Sequence, residues 1–223
     1  MSKKVAIIHT TPVTVDSLKK LAGYKIPGAE VINFVDDSIL PQLIDNGGNV
    51  KEVENRLIQY AQIAEQVGAS VILNACSSVG EVVEKMQESV SVPIVRIDEA
   101  MAELAIEKGN RIGVVATLAT TLHPTINLLK EKANACHKSL ELISEVAGES
   151  YQLLLAGDQK GHDHTLAKVL KTMTEQVDVV VLAQASMARV VSTLPTELQG
   201  KFLSSPELGM EQVSETLKKA SVK

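Results

Sequence analysis

A cysteine that follows an apolar run is the strongest candidate for chemistry in this sequence. The run Val71-Ile-Leu-Asn-Ala-Cys-Ser-Ser78 begins as a core strand would and turns polar around Cys76. Apolar residues then recur with helical spacing, so we expect Cys76 to lie at a strand-to-helix corner. Unpaired N–H groups and the positive end of a helix dipole favour a thiolate there, which predicts a lowered pKa and a role as base or nucleophile. The alternative is a small buried side chain without a chemical role.

Composition excludes several classes of function. The chain has 223 residues and 45% hydrophobic content, enough for the core of one or two domains. Its net charge is −5 and no basic block occurs, so nucleic acid is not an expected partner. No apolar run has the length of a membrane span or a signal peptide, which predicts a soluble, cytoplasmic protein with no membrane partner. Two cysteines do not make a disulfide framework, so we expect reduced thiols.

Strand-like and helix-like segments alternate along the chain, which predicts an α/β fold with mainly parallel sheets. The predicted strands are Val5–Ile8, Val31–Val35, the run beginning at Val71, Pro93–Ile97, Ile112–Ala116, Leu140–Val146, Asp178–Ala183 and Phe202–Leu203. We expect Gly23 to end the first helix and Asn49 with Glu52 to form a capping box. Asp163 is expected to cap a later helix, and the last helix is predicted at Pro206–Lys219.

The second half of the chain repeats the pattern of the first. An offset of 107 residues places Ile112–Ala116 on Val5–His9, and an offset of 108 places Val179 on Val71. This repetition predicts two similar three-layer α/β lobes related by a pseudo-twofold axis. The carboxyl ends of both sheets would then face a cleft between the lobes, where open α/β sheets bind ligands. The expected boundaries are residues 1–98 plus 206–223 for the first lobe and 99–205 for the second.

The same offset of 108 pairs the candidate thiol with an amide. Cys76 falls opposite Gln184, and Ser78 falls opposite Ser186. A cleft between equivalent lobes would present one of these groups to each face of a substrate. That arrangement suits removal of a proton from one face and its return from the other, so Cys76 and Gln184 are the candidate catalytic residues.

Polar side chains at the predicted strand ends are the candidate substrate ligands. They are His9, Thr10, Thr11, Asn74, Ser77, Ser78, Thr117, Thr120, Thr121 and Ser186, and the non-polar Ala185 between Gln184 and Ser186 is counted with them. Hydroxyls beside helix N-termini would hold a carboxylate, although such residues also act as helix caps. His9 could act as the acid in place of Gln184, whose amide does not titrate near neutral pH, or it could be a hydrogen-bonded structural residue. The run His162-Asp163-His164 has the composition of a metal site, but Asp163 already has an expected capping role, so we expect no metal there.

Three motifs carry a resemblance that covers nearly the whole chain. They are Asn74-Ala-Cys-Ser-Ser78, Arg111-Ile-Gly-Val-Val-Ala-Thr117 and Asp178-Val-Val-Val-Leu-Ala-Gln184. With them the chain resembles the aspartate/glutamate racemase superfamily, and within it the hydantoin-racemase-like branch. The resemblance implies a cofactor-independent isomerase with two α/β lobes, in which two cysteines act as acid and base at a carbon next to a carboxylate. It also implies a small carboxylate, amino-acid or hydantoin-like substrate and a homo-oligomer.

The sequence departs from that pattern at the second cysteine, where it has Gln184. Glutamine cannot exchange a proton at neutral pH. One hypothesis is a racemase or isomerase in which Cys76 is the thiolate base. A second is a single-thiol decarboxylase or lyase, with the Gln184 amide donating to the developing oxyanion. A third is a catalytically silent carboxylate-binding protein.

Overall fold

A computed structural model describes residues 3–220, and the chain divides into two compact units. The first comprises the chain up to Ile97 and from Pro206 onward, and the second is Asp98–Ser205. The strands are β1 (Lys4–His9), β2 (Glu30–Val35), β3 (Val71–Asn74), β4 (Ile94–Arg96), β5 (Arg111–Ala116), β6 (Glu141–Val146), β7 (Val179–Leu182) and β8 (Phe202–Ser204). The α-helices are α1 (Val15–Lys25), α2 (Ile39–Asp45), α3 (Lys51–Gln66), α4 (Val83–Glu88), α5 (Glu99–Lys108), α6 (Ala119–Ala135), α7 (Gly148–Leu155), α8 (Gln159–Thr174), α9 (Ala188–Val191), α10 (Thr196–Gln199) and α11 (Ser205–Ala220). Short 3₁₀ helices span Pro12–Thr14, Ser77–Val82 and Ala185–Met187.

Each unit is built on a parallel sheet with the same topology. The strand order is β2-β1-β3-β4 in the first unit and β6-β5-β7-β8 in the second. Equivalent strands also pair in equivalent register. Val5 pairs with Val71 in the first sheet, and their counterparts in the repeat, Ile112 and Val179, pair in the second. The predicted duplicated α/β fold is therefore confirmed.

Helices cover both faces of the first sheet. Val5 and Ile7 of β1 pack with residues of α1 and α11, whereas Ala6 and Ile8 of the same strand pack with α2 and α3. Successive strand residues point to opposite faces, so the near-continuous apolar run of β1 serves two cores at once. The result is a three-layer unit.

The second unit has the same layers. Val115, Val180 and Leu182 pack against α8, while α5 and α6 pack on each other and contact β5 and β7. Helix α5 follows β4 in the chain yet belongs to the second unit, and α11 follows β8 yet belongs to the first. Each core is thus completed by the helix that follows the other sheet's last strand. Within residues 3–220, no helix combines the length and apolar character that crossing a bilayer requires.

Two predicted helix boundaries are wrong. Gly23 lies inside α1, which continues to Lys25, and the chain turns at Gly28, whose φ of +81° suits glycine. Asp163 does not cap α8, because that helix begins earlier and Asp158 accepts a hydrogen bond from the Gly161 N–H at 2.8 Å. The carboxylate of Asp163 instead accepts a hydrogen bond from Arg189 Nη1 at 3.0 Å.

The capping box predicted at Asn49 is also wrong. Helix α3 begins at Lys51, and the turn before it is closed by Asn46, whose Oδ1 accepts hydrogen bonds from the N–H groups of Gly48 and Asn49. The Glu52 carboxylate accepts from the side-chain amides of Asn46 and Asn49 rather than from a backbone N–H. The Oδ1 of Asn49 accepts the N–H of Lys51, the first residue of α3, at 3.3 Å, so Asn49 contacts the start of the helix without forming the reciprocal capping box.

The side chain of His9 joins β1 to its neighbours. Its Nε2 lies 3.0 Å from Asn33 Oδ1 in β2, and its Nδ1 lies 2.9 Å from Thr14 Oγ1 in the first 3₁₀ helix. Because Oδ1 can only accept, Nε2 carries the proton and the neutral ring accepts the Thr14 hydroxyl at Nδ1. Burial lowers the pKa of His9, and the bond to Asn33 offsets this only in part. Of the two roles considered for His9, this geometry matches the structural one.

Neutral His9 makes the stability of the protein depend on pH. The unfolded chain takes up this proton near pH 6.5, whereas the folded protein does so only at a lower pH. The stability that His9 contributes is therefore complete above about pH 6.5 and is lost as the pH falls towards the folded pKa. We expect the urea midpoint of the wild type to fall between about pH 7.5 and 5.5, and the fall to be smaller in His9→Gln. His164→Gln, at an exposed position, is the matched control, and equal pH slopes for the wild type and His9→Gln would contradict this account.

Helix α11 approaches the end of β4 closely at a glycine. A Cβ at Gly209 would lie 2.6 Å from the carbonyl oxygen of Ile97 and 3.0 Å from its Cγ1. Close contact of a helix with backbone leaves no room for a side chain, so the absence of a Cβ fixes how α11 sits on the first sheet.

Two glycine-to-alanine substitutions should have opposite effects. Gly209→Ala should lower the free energy of unfolding by about 1–3 kcal/mol, because the new methyl group overpacks against backbone. Gly23→Ala lies in α1 with open space around the new Cβ, so it should raise the free energy by roughly 0.5–1 kcal/mol through helix propensity. Urea denaturation of both variants measures this difference, and an unchanged or raised midpoint for Gly209→Ala would refute the close packing.

Candidate active site

Cys76 lies at the carboxyl edge of the first sheet. Strand β3 ends at Asn74, and the N–H of Ala75 donates to the Ile8 carbonyl at 2.9 Å, which extends the ladder by one residue. Cys76 itself is extended, with φ −136° and ψ 115°, and the 3₁₀ helix Ser77–Val82 follows at once. The predicted strand-to-helix corner is present, but the helix is 3₁₀ and is interrupted by non-helical angles at Val79.

Several donors surround the sulfur of Cys76. The Thr10 hydroxyl has no nitrogen or oxygen partner among the described residues, and it interacts with Sγ. The N–H and hydroxyl of Ser78 and the N–H of Val79 also donate to Sγ. Four donors from two segments of backbone thus converge on one partly exposed side chain. Such an arrangement stabilises negative charge on sulfur when the proton leaves.

Burial nevertheless raises the pKa of Cys76, because the desolvation of the sulfur outweighs the hydrogen bonds from Thr10, Ser78 and Val79. The expectation of a lowered pKa is therefore wrong. It assumed a regular helix after Cys76, whose dipole would favour the thiolate. The structure has instead a six-residue 3₁₀ helix followed by the six-residue α4, and short segments of this kind contribute little aligned dipole.

Other predicted residues of the first unit line the same edge. Asn74 is fully buried, its Nδ2 donates to the Cys76 carbonyl at 3.3 Å, and its Oδ1 has no partner within residues 3–220. Ser77 is buried at the start of the 3₁₀ helix. Thr11 caps the first 3₁₀ helix, since its Oγ1 accepts from the Val13 N–H at 3.4 Å. For Thr11 the geometry therefore matches the capping alternative.

Gln184 occupies the equivalent corner of the second unit. Strand β7 ends at Leu182, the N–H of Ala183 donates to the Val115 carbonyl at 2.9 Å, and the 3₁₀ helix Ala185–Met187 begins after Gln184. Gln184 is extended, with φ −129° and ψ 134°. The two corners thus share backbone conformation as well as topology.

The side chain of Gln184 is held by Thr117. Its Oε1 accepts the Thr117 N–H at 2.6 Å and the Thr117 hydroxyl at 2.9 Å. Because a backbone N–H can only donate, these bonds fix which end of the amide is the oxygen, and the Nε2 donors lie at the other end of the amide group. Thr117 contacts Gln184 as Thr10 contacts Cys76, so each corner joins the threonine after the first strand of its unit to the second residue after the third strand.

The remaining predicted residues of the second unit lie at the starts of helices. Thr120 and Thr121 are in the first turn of α6, a 17-residue helix, and Thr120 Oγ1 is buried without a partner among the described residues. Ala185 and Ser186 are partly exposed in the 3₁₀ helix after Gln184. Unpaired N–H groups at the start of a long helix are suited to an anion.

Two residues that were not among the predicted ligands also belong to the first corner. Arg96 ends β4, pairs in register with Asn74, and is only 8% exposed. Gly80 lies in the 3₁₀ helix after Cys76, and a Cβ there would overlap the guanidinium of Arg96. The available signal was a charged residue between Val95 and Ile97 in an otherwise apolar strand.

The histidine run considered for a metal has other contacts. His162 is buried, and its Nδ1 donates to the Ser150 carbonyl at 2.8 Å. The neighbouring Asp163 contacts Arg189. Within the described part of the chain, no group of three or more His, Cys, Asp or Glu side chains is placed to hold a metal ion.

Three solved structures that share this fold are described as racemases or a racemase homologue. A glutamate racemase from Bacillus anthracis superposes with a TM-score of 0.77 at 16% identity, covering 99% of this chain and 83% of that one. An aspartate racemase homologue from Pyrococcus horikoshii gives 0.71 at 20% identity, covering 98% and 99%. An allantoin racemase from Klebsiella pneumoniae gives 0.64 at 18% identity, covering 99% and 89%. At these identities the similarity bears on the fold.

The family to which the chain belongs is established by its sequence. No curated protein matches the chain. The profile described as Asp/Glu/Hydantoin racemase matches residues 6–213, which include both corners and all strands except the first two residues of β1. The chain therefore belongs to the Asp/Glu/hydantoin racemase family, whose members are isomerases of amino acids and their derivatives.

Proposed function

We propose that the protein transfers a proton at the α-carbon of a small carboxylate, an aspartate- or glutamate-like amino acid, or a hydantoin-like substrate. The observation that carries the proposal is Cys76 itself. It is partly exposed at the carboxyl edge of a parallel sheet, where donors from Thr10, Ser78 and Val79 converge on its sulfur. Family membership supplies the reaction class, and Cys76 is the acid–base group in this proposal.

The raised pKa of Cys76 defines what the thiol does near neutral pH. Most of the resting protein carries the protonated thiol, and the thiolate, once formed, is a stronger base than a thiolate of low pKa. The hydrogen bonds around Sγ stabilise the negative charge during the transfer. Cys76 is therefore suited to give a proton to a carbanion, and also to remove one when substrate binding favours its ionisation.

Gln184 has a different part in the proposal. It does not titrate, so it cannot serve as the second acid or base. With Oε1 bound by Thr117, its Nε2 donors are available to hydrogen-bond an enolate oxygen as charge develops there. A proton removed by Cys76 would then return from Cys76, which predicts exchange with solvent at one face of the α-carbon.

The hydroxyl groups at the strand ends would bind the substrate carboxylate. Thr120 Oγ1 supports this role, because it is buried without a partner at the start of α6, beside backbone N–H groups that attract anions. Thr121 lies in the same turn, and Ser77 and Ser186 hold comparable positions after Cys76 and Gln184.

A second candidate function is decarboxylation or carbon–carbon cleavage by the single thiol. Two observations favour it, namely the raised pKa of Cys76 and the non-titrating Gln184. In such a reaction bond cleavage generates the enolate, and the protonated thiol then delivers one proton to carbon. A silent carboxylate-binding protein remains the non-enzymatic alternative. The expected homo-oligomer also stays a prediction, which analytical ultracentrifugation would test.

Proton transfer by Cys76 should be visible as isotope uptake from solvent. Incubation in deuterated water with dicarboxylates, amino acids and hydantoins should place deuterium at the α-carbon of at least one substrate, as measured by proton NMR. Cys76→Ser should reduce this rate by at least about 10²-fold, because general acid–base catalysis contributes on that order. Cys136→Ser removes the exposed second cysteine and should leave the rate unchanged. Absence of deuterium in all three substrate classes would remove support for proton-transfer catalysis.

Restoring a titrating group at the second corner should change the stereochemical outcome. The wild type is expected to exchange the α-proton with retention of configuration, because one base serves one face. Gln184→Cys supplies a second thiol, so exchange should become accompanied by racemisation, as followed by circular dichroism of the substrate. Ser186→Cys is the matched control two residues away and should not racemise. Racemisation by the wild type at the rate of exchange would instead show that another group already acts as the second acid.

A further inference from the structure

Arg96 and Gly80 form a close pair beside the Cys76 corner. Arg96 is the last residue of β4, next to Asn74 in the sheet, and is nine-tenths buried. A Cβ on Gly80 would overlap Cζ, Nε and Nη2 of Arg96, so the guanidinium lies directly against the backbone of the 3₁₀ helix Ser77–Val82. Only glycine leaves room for this contact.

The second unit lacks this pair at the equivalent positions. Leu182 pairs with Ser204 as Asn74 pairs with Arg96, so Ser204 is the counterpart of Arg96. The offset of 108 residues that relates these strands places Ala188 opposite Gly80. The large arginine thus occurs with glycine, and the small serine occurs with alanine. The arginine–glycine pair is found in the unit that carries the ionisable thiol, whereas the unit with the amide does not have it.

The contact bears on the groups that surround the sulfur. Ser78 and Val79, whose N–H groups donate to Sγ, directly precede Gly80 in the same 3₁₀ helix. That helix is short and contains non-helical angles at Val79. Short 3₁₀ segments have poor internal hydrogen-bond geometry, so their shape depends on what packs against them. A planar, buried guanidinium provides such a rigid surface.

We infer that Arg96 is a positioning residue that holds the Ser77–Val82 helix so that its N–H groups remain directed at the sulfur of Cys76. The inference rests on the acid–base role of Cys76 in the proposed function. In this role Arg96 acts through the Ser77–Val82 helix rather than by contact with substrate. The charged groups nearest to the pair along the chain are Glu81, directly after Gly80, and Asp98, two residues beyond Arg96.

The test follows the reactivity of Cys76 towards iodoacetamide as a function of pH. All proteins carry Cys136→Ser, so that Cys76 is the single thiol. Arg96→Met removes the guanidinium, and the double variant Gly80→Ala with Arg96→Ser reproduces the pair of the second unit without steric conflict. In both, the midpoint of the alkylation profile should rise by roughly one pH unit, with alkylation near neutral pH about tenfold slower, since a pKa unit is a tenfold change in thiolate. Ser204→Ala is the matched control and should leave the profile unchanged.

Thermal unfolding followed by circular dichroism shows which variants are folded. Arg96→Lys keeps the charge and most of the buried stem, and it should also raise the midpoint of the alkylation profile. A folded double variant with the wild-type midpoint and rate would overturn the inference. Where deuterium exchange is measurable, the variants should lower kcat with KM changed less than about twofold, because the lost interaction acts on the reacting group. Absence of exchange in the wild type would count against the proposed function alone, since the alkylation profiles decide the role of Arg96 independently.

Discussion

One backbone hydrogen bond in each unit places the two candidate catalytic side chains. The Ala75 N–H donates to the Ile8 carbonyl, and the Ala183 N–H donates to the Val115 carbonyl, so the parallel ladder continues for one residue beyond the third strand. This extension fixes the next residue beside the threonine that follows the first strand. Because the register of a parallel pair sets which side chains are neighbours, the contacts of Cys76 and Gln184 both depend on it.

The duplicated framework holds two different kinds of side chain at equivalent positions. In the first unit hydroxyl and backbone N–H groups surround the sulfur of Cys76, which can lose a proton, and burial raises the pKa of that thiol. In the second unit the equivalent threonine binds an amide oxygen that never titrates. The surrounding residues also differ between the two units. Asn74, Arg96 and Gly80 of the first unit correspond to Leu182, Ser204 and Ala188 of the second. Similar extended backbone at Cys76 and Gln184 thus positions an ionisable group in one unit and a hydrogen-bonding amide in the other.

Much of this architecture could be predicted from the sequence because it depends on local patterns. Apolar runs identified the strands, and the repeat between Val5–His9 and Ile112–Ala116 predicted the shared topology, which the strand orders confirm. Helix ends were less predictable, since Gly23 is tolerated inside α1, Asp158 rather than Asp163 caps α8, and Asn49 bonds the Lys51 N–H without the reciprocal bond from Glu52. Several residues compete for such roles, and tertiary packing decides among them.

The electrostatics of the site could not be predicted in the same way. The pKa of Cys76 depends on the balance of desolvation and hydrogen bonds, and the sequence does not show how closely the sulfur is packed. Arg96 looked like an isolated charge in a strand, and its relation to Gly80 appears only when the strand and the turn lie together. Both features arise from contacts between segments that are far apart in the chain.

The central claim is that Cys76 acts directly on the reacting carbon of a small carboxylate. A crystal structure with a bound dicarboxylate tests it most directly. The account predicts the α-carbon about 3–3.5 Å from Cys76 Sγ, the separation of a near-attack geometry, with a carboxylate on the hydroxyls at the strand ends. A dicarboxylate bound with its α-carbon away from the sulfur, or a Cys76 shielded from the ligand by other side chains, would contradict it.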